Sequence, residues 1–361
     1  MLIGSVTVYA AVTHQKFFEA LFGNSTKENI EAHTEEAQSR PILDENGEET
    51  GEYVTYMAEF PARDFVEVDA EQAEELIGEQ IEDTPTKIIV GDHVITVESI
   101  VYDSFTADIY YTIEREGGVT MLYADQTTNE AKGAVVPENT DSIFYFCVNG
   151  EAVGGKRWVD LSKSTEDKYY CYEYMILNDI ADSKEGSMQH NTEYAFQIVT
   201  DHYPMPTNEF EKQARTMNRE ELQALFDQVQ TATYSLPVKQ AVDLQIYRCL
   251  ENDSRVDVSP ISLTLFSSED MTRNDPPAYV SITYKDGTEY IVHSWSSGDY
   301  IDNTGYICGS GYYVSQEGRS YTNRWTYVFN RLVDPGEIVQ IEIHDLNEEL
   351  PVLIYEAEAV E

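Results

Sequence analysis

Metal sites and nucleophilic catalysis recruit histidine and cysteine most often. The seven histidines are His14, His33, His93, His190, His202, His293 and His344. They contain no H-x-x-x-H or H-x-H pair, so no zinc site is written in local spacing. Each reads instead as a surface or internally satisfied histidine. The four cysteines, Cys147, Cys171, Cys249 and Cys308, are far apart and include no C-x-x-C pair. Zinc-ribbon and thioredoxin-type chemistry therefore fall away. Cys147–Cys171 and Cys249–Cys308 are conceivable disulfides in an oxidising compartment. The alternative is four unpaired thiols buried in strands, since a chain this long does not need covalent staples.

The remaining chemical candidates are weak. Sixty-six acidic residues make chance carboxylate pairs common, so no glycosidase-like pair stands out. Residues 44–47 (DENG) echo a calcium loop but lack its alternation and closing bidentate glutamate. Residues 294–298 (SWSSG) lack the first glycine of a nucleophile elbow. Residues 305–311 (GYICGSG) have neither a following Lys-Ser/Thr nor a helix, so they read as a turn between strands. No catalytic residue, cofactor site or metal site is expected.

Two aromatic groups could bind a ligand. Tyr170, Tyr172 and Tyr174 alternate along one strand and share a face, a pattern suited to stacking on carbohydrate. A sheet face half-covered by a neighbouring layer produces the same pattern. Trp295, Tyr300 and Tyr306 surround a Gly/Ser-rich segment, which is either an exposed aromatic loop or a buried corner.

The elements that must position these residues follow from composition and periodicity. The chain has 361 residues, more than one core usually serves, so two domains are expected. Tyrosine (26) outnumbers phenylalanine (13) and tryptophan (3), which favours antiparallel sheets wet on one face. The net charge of −43 repels phosphate backbones, so nucleic acid and anionic lipid are poor partners. It attracts basic surfaces only as a screened field, and it also keeps an exposed protein soluble.

Residues 1–11 (MLIGSVTVYAA) are apolar and uncharged, too short to span a bilayer, which takes about 20 apolar residues. They resemble the end of a membrane anchor or signal segment, or else a first strand. Residues 12–83 are expected to be helical with an acidic loop. Two short helices are predicted over 12–33, the second opened by Ser25 and Glu28 as a capping box. A loop or hairpin tip follows over 33–53, then a helix capped by Asp69. A first β-sandwich is predicted over 84–200, with tight turns at Gly91-Asp92 and Asn149-Gly150. A helical connector is predicted over 201–237, with Asn218 and Glu221 as a capping box. A second β-sandwich is expected over 238–361, with a hairpin at Lys285-Asp286-Gly287 and one strand across 256–266. The fold class is thus mainly β, two immunoglobulin-like sandwiches with N-terminal helices and a helical connector.

Several segments carry a family likeness: VTVYAA (6–11), KFFEALFG (16–23), TNEAKGA (128–134), YCYEYMIL (170–177), VSPISLTL (258–265) and YKDGTEYIV (284–292). In these the chain resembles extracytoplasmic domains of unknown function from anti-sigma-factor-like membrane proteins of Gram-positive bacteria. That resemblance implies a non-catalytic, envelope-facing sensor or interaction module, tethered by an N-terminal membrane segment. Its implied partner is an envelope protein, a peptide or a glycan. A surface adhesin or carbohydrate-binding protein is the alternative function.

Overall fold

The computed structural model describes residues 18, 29–36, 40–43, 49–54, 57–64, 66–90, 93–119, 143–160, 163–177, 193–202, 217–267, 276–295, 300–316, 319–345 and 352–357. These form a mainly β protein with antiparallel sheets. Two α-helices have described bounds, and both begin where the capping signals place them. In α1 (Ala70–Ile77) the Asp69 carboxylate accepts from the Glu71 and Gln72 amides, and Ala73 and Ile77 are buried. In α2 (Arg219–Phe226) Asn218 and Glu221 form the reciprocal capping box.

The second helix expected over 12–33 does not form. Ile30 bridges Arg63, and β1 (His33–Glu36) pairs antiparallel with β4 (Met57–Phe60). A single helical turn or two is marginal without tertiary support, and here strand pairing supplies the support instead. The acidic stretch after it becomes a hairpin of β2 (Arg40–Leu43) and β3 (Glu49–Val54). Its tip, with the DENG motif, lies outside the described residues, as do residues 1–11. Phe18 is helical and buried. Among the described residues no helix is long and apolar enough to cross a membrane.

The first unit comprises two sheets. One contains β5 (Thr86–Val90), β6 (His93–Tyr102), β7 (Thr106–Glu114), β10 (Gly155–Val159) and β11 (Lys168–Ile176), in the order β10-β11-β7-β6-β5. The other contains β8 (Ile143–Val148), β9 (Glu151–Ala152), β12 (Phe196–His202) and β13 (Gln230–Ser235), in the order β13-β12-β8-β9. Period-two alternation turns Ile95, Ile109, Tyr111 and Met175 of the first sheet toward Phe146, Phe196 and Ile198 of the second, as one core. Asn149 (φ 53°) and Gly150 (φ 84°) form the tight turn joining β8 to β9.

Residues 230–235 fall within the segment expected to be a helical connector. They form β13 and pair with β12, so only part of that segment is helical. Its sequence, QTATYS, has no apolar run, because one face is exposed and the other is only half-covered, with Tyr234 packed against the core. None of the four cysteines is disulfide-bonded. Cys147 alternates with the inward Phe146 and Val148, so it points away from the core that holds Cys171. Cys249 and Cys308 lie on strands four places apart.

The second unit is one ten-stranded antiparallel sheet rather than two facing sheets. Its strands are β14 (Gln245–Cys249), β15 (Arg255–Val258), β16 (Ser262–Ser267), β17 (Tyr279–Tyr284), β18 (Glu289–Ser294), β19 (Ile301–Asp302), β20 (Thr304–Gln316), β21 (Arg319–Phe329), β22 (Ile338–His344) and β23 (Leu353–Ala357). The order is β19-β18-β17-β22-β23-β14-β15-β16-β21-β20. The two edge strands, β19 and β20, are separated in sequence by Asn303 alone. The sheet must therefore curl until its ends meet, giving a nearly closed barrel whose interior is filled by side chains from across the sheet. Alternation in sequence dictates strands, but it does not say how many sheets they make.

Two finer expectations change here. The apolar run 256–266 is broken at Pro260, where Ser259 Oγ accepts from the Ile261 and Ser262 amides and separates β15 from β16. GYICGSG is not a turn but the first half of β20. Its glycines make room for rings: a Cβ on Gly305 would lie 2.6 Å from the Tyr174 ring, and one on Gly309 2.2 Å from Trp325.

The outer face of β7, β10 and β11 packs on the outer face of the barrel. Trp158 and Tyr174 meet Val328, and Phe105 meets Phe266 edge-on at 5.5 Å. Beside them, α1 and Phe18 cover Val101 of the first unit and Ile261 of the second. The closure itself is hydrogen-bonded: Asn303 N donates to Val292 O, Asn303 Nδ2 to Ile291 O, and Tyr290 Oη to Asn303 O. Replacing Asn303 by Ala strands the Ile291 carbonyl and the Asp64 amide, which donates to Asn303 Oδ1. Urea denaturation is expected to show a loss of about 2 kcal/mol; an unchanged midpoint would mean that the closure carries no stability.

Candidate functional site

The chain crosses from β18 to β19 at the barrel seam, and that crossing builds the most distinctive surface feature. The β17–β18 ladder pairs Val280 with His293 but Ser281 with Ile291, leaving Val292 as an extra residue. Such a bulge re-aims the side chains beyond it, and it turns His293 inward opposite the core residue Val280. Past Ser294 the chain leaves the sheet at Trp295, whose amide donates to Ala278 O. It rejoins at Tyr300, whose carbonyl accepts from the Ala62 amide.

Trp295 and Tyr300 stack with centroids 5.8 Å apart and planes inclined by 20°. Trp295 is 50% exposed, so a broad indole surface faces solvent at the seam. Beneath it lies His293, 98% buried, edge-on to Trp295 at 6.1 Å and 6.4 Å from the Tyr327 ring. Neither imidazole nitrogen has a hydrogen-bond partner. Burial holds the His293 pKa below the ordinary histidine value, against a weaker upward pull from Asp302.

The seam is clamped by the segment before α1. Arg63 is buried, pairs with Asp302 at 3.3 Å, donates to Thr304 O, and lies 5.9 Å from the Trp158 ring. Asp302 also accepts from the Thr304 amide and hydroxyl. Ala62 forms a short parallel bridge with Ile301. One side chain, Arg63, thus touches both strands that meet at the closure and the sheet of the first unit.

Chemically, the seam offers a flat aromatic face for the apolar side of a ring or an extended side chain. The acidic groups Asp302 and Glu59 act on Tyr300, after burial as the larger cause of its raised pKa. Among the described residues no group of three or more His, Cys, Asp or Glu side chains could hold a metal ion. A separate groove of 720 Å³ runs between α1 and residues 242–246. Asp243 and Asp334 line it, and Asp334 is committed to the Gly336 amide.

Of the residues singled out in sequence, Trp295 and Tyr300 come together, whereas Tyr306 packs elsewhere, beside Trp158 and Tyr174. The proposed tyrosine platform is not open. Tyr174 is buried under the barrel, and Tyr172 stacks on Trp158 at 6.3 Å with Tyr174 edge-on at 5.9 Å. The outer sheet face that carries them is the joint between the two units, which is why it is rich in aromatic residues. Tyr170, two residues back, is half-buried, with Lys168 Nζ 5.1 Å from its ring. Arg63, Asp302 and Asn303 were not among the residues singled out in sequence, and His293, expected at the surface or internally satisfied, is buried with neither ring nitrogen hydrogen-bonded. Only the local Asp302-x-Thr304 spacing, which favours a side chain capping its own turn, marked the place.

No family model matches the chain, and no curated protein matches it. A solved structure described as "The crystal structure of the conserved domain protein from Bacillus anthracis" is similar over 78% of this chain and 92% of its own, at 9% identity and a TM-score of 0.37. A similarity at that level carries no argument about function.

The depressed His293 pKa has a checkable consequence. A histidine neutralised by burial contributes stability that is present above its unfolded pKa and is lost as pH falls below it. Proton NMR is expected to show His293 titrating below about 6.5, and His293→Gln is expected to reduce the loss of stability on the acid side. Titration at or above that value would contradict the buried, neutral imidazole.

Proposed function

We propose that the protein is a non-catalytic, extracytoplasmic binding or sensory module, and that Trp295 and Tyr300 form its recognition surface. The observation carrying this reading is the exposed Trp295–Tyr300 stack, held at the seam of a rigid sheet. A large aromatic ring left half in solvent, stacked on a second ring and lying above the buried His293, supports a recognition role. The high acidic charge suits an exposed protein and disfavours nucleic acid. The sequence likeness to ectodomains of anti-sigma-like regulators supports an envelope location and an N-terminal tether. An immunoglobulin-like sandwich type for the first unit belongs to the same proposal, supported by its two antiparallel sheets around one core.

A second reading, carbohydrate binding in the manner of a surface adhesin, is favoured by the geometry of the stack. Its near-parallel rings present one continuous plane, and sugar rings dock their C–H faces on such planes. Peptide partners would use the same anchor with basic or apolar side chains, drawn by the exposed Glu59 and the net charge of −43.

The test is a glycan array and a peptide library probed with the wild-type chain and with Trp295→Ala. Binding by the variant is expected to fall at least about tenfold, with Tm within about 1 °C of wild type, since the residue is a surface one. Glycan hits alone would select the carbohydrate reading; peptide hits alone would select protein sensing. Binding that survives Trp295→Ala, or a large fall in Tm, would reduce the stack to packing and remove the proposal.

A further inference from the structure

The joint between the two units contains three buried aspartates with very different surroundings. Asp103, in the turn after β6, is saturated. One carboxylate oxygen accepts from the Phe105 amide and the Thr106 amide and hydroxyl, the other from Ser259 and Ser262 of the barrel at 2.6 and 2.5 Å. Asp257 on β15 binds Arg255 at 2.8 Å through one oxygen, and its other oxygen is unpartnered. Asp108 on β7 is fully buried, and neither of its oxygens has a hydrogen-bond partner.

Asp108 sits in that position because β7 alternates. Ala107, Ile109 and Tyr111 fill the core of the first unit, so Asp108 faces outward with Thr106, into the layer covered by the barrel. Its cross-strand neighbours are Val101 and Tyr174. The groups acting on it and around it can be named from each side. Asp103 repels it from the turn. Tyr174 of β11 feels Asp108 together with Tyr172 and the distant charge of Arg63. From the barrel, Arg255 and Arg248 act on Asp257, with Asp103 opposing them. Among the described residues Asp103 is the charge that acts on Asp108, and from β21 the buried Arg324 shares the outer barrel face with Val328, which meets Tyr174. An ionised carboxylate without hydrogen bonds, beside another carboxylate and out of water, is among the costliest arrangements in a protein interior.

We propose that Asp108 is a proton-operated latch at this joint: protonated, it allows the two sheet faces to close on each other, and ionised, it drives them apart. The latch is independent of what binds at Trp295. Burial, and then Asp103, hold the Asp108 carboxyl well above the usual aspartate range, and burial pushes Asp257 up to about 6 despite Arg255. Both shifts are upward, so the closed joint holds more protons than the open one. Its stability is complete below the unfolded aspartate pKa and is lost as pH rises through the folded values. Asp257 contributes between about pH 4 and pH 6, and Asp108 adds to the loss as pH rises through its own raised pKa.

The experiment places spin labels on Ile89→Cys and Leu250→Cys, both 63% exposed and one in each unit, in a Cys308→Ser background. Distances are measured by pulsed electron resonance from about pH 5 to about pH 9. With Asp108 present, a single narrow distance at low pH is expected to broaden and lengthen as pH rises. With Asp108→Asn, the narrow distribution is expected to persist throughout. A distribution that does not change with pH, or an Asp108→Asn chain that follows the wild-type trend, would overturn the proposal. Hydrogen exchange on the unmodified chain provides a reading that needs no variant. The Phe105, Thr106 and Ser262 amides are expected to lose at least roughly tenfold more protection than Ile109 over the same range, after correction for intrinsic exchange. A constant ratio would equally refute the latch.

Discussion

The meeting of two sheet edges at Asn303 is the constraint on which the rest of the molecule depends. A ten-stranded sheet left open would expose two unpaired edges and one apolar face. Because β19 and β20 flank a single residue, the chain cannot leave the first edge without arriving at the second. Closure buries Tyr247, Val256, Leu265, Ile282, Tyr327 and Tyr355 together. It also fixes the barrel's outer surface, so that β16 and β21 present a firm face to the first unit. The aromatic stack at Trp295 is a by-product of the same event, since it marks where the chain leaves β18 and comes back along β19.

Arg63 converts this local closure into a property of the whole chain. The segment from Ala62 to Asp64 lies some 240 residues earlier than the seam, yet it supplies a bridge to Ile301, an ion pair to Asp302 and a donor to Asn303 Oδ1. Arg63 is almost wholly out of water and Asp302 only a fifth exposed, so the guanidinium left alone would be costlier than the pair itself. Long-range contacts of this kind need most of the fold in place before they form.

Much of the first unit was legible in the sequence. Its strands alternate cleanly, its turns carry Asn-Gly and its helices carry caps, and each of these is a local signal with a local cause. Other features were not legible, for equally physical reasons. β13 is a mostly polar strand whose half-buried face carries only Ala232 and Tyr234, too short an alternation to stand out. The helix expected after Ser25 gave way to pairing with a strand about thirty residues away. The outward tyrosines Tyr172 and Tyr174 look in sequence like a ligand platform, because a face buried by another unit and a face stacked by a ligand demand the same residue types. The inward turn of His293 depends on a one-residue bulge, which changes parity without changing composition. Trp295 and Tyr300 were recognisable because a tryptophan amid serine and glycine has no local packing partner to explain it.

Amide hydrogen exchange at the seam tests this account most directly. Asp302 N donates to Ala62 O, a bond that exists only if the early segment docks on the seam, and Asn303 N donates to Val292 O, which fixes the residue between the two edges to β18. If the closed barrel is the organising constraint, these two amides should exchange as slowly as Leu265 in the middle of the sheet, through global unfolding alone. Rapid exchange at Asp302 and Asn303, with Leu265 still protected, would mean that the sheet stands open in solution and that the seam organises nothing.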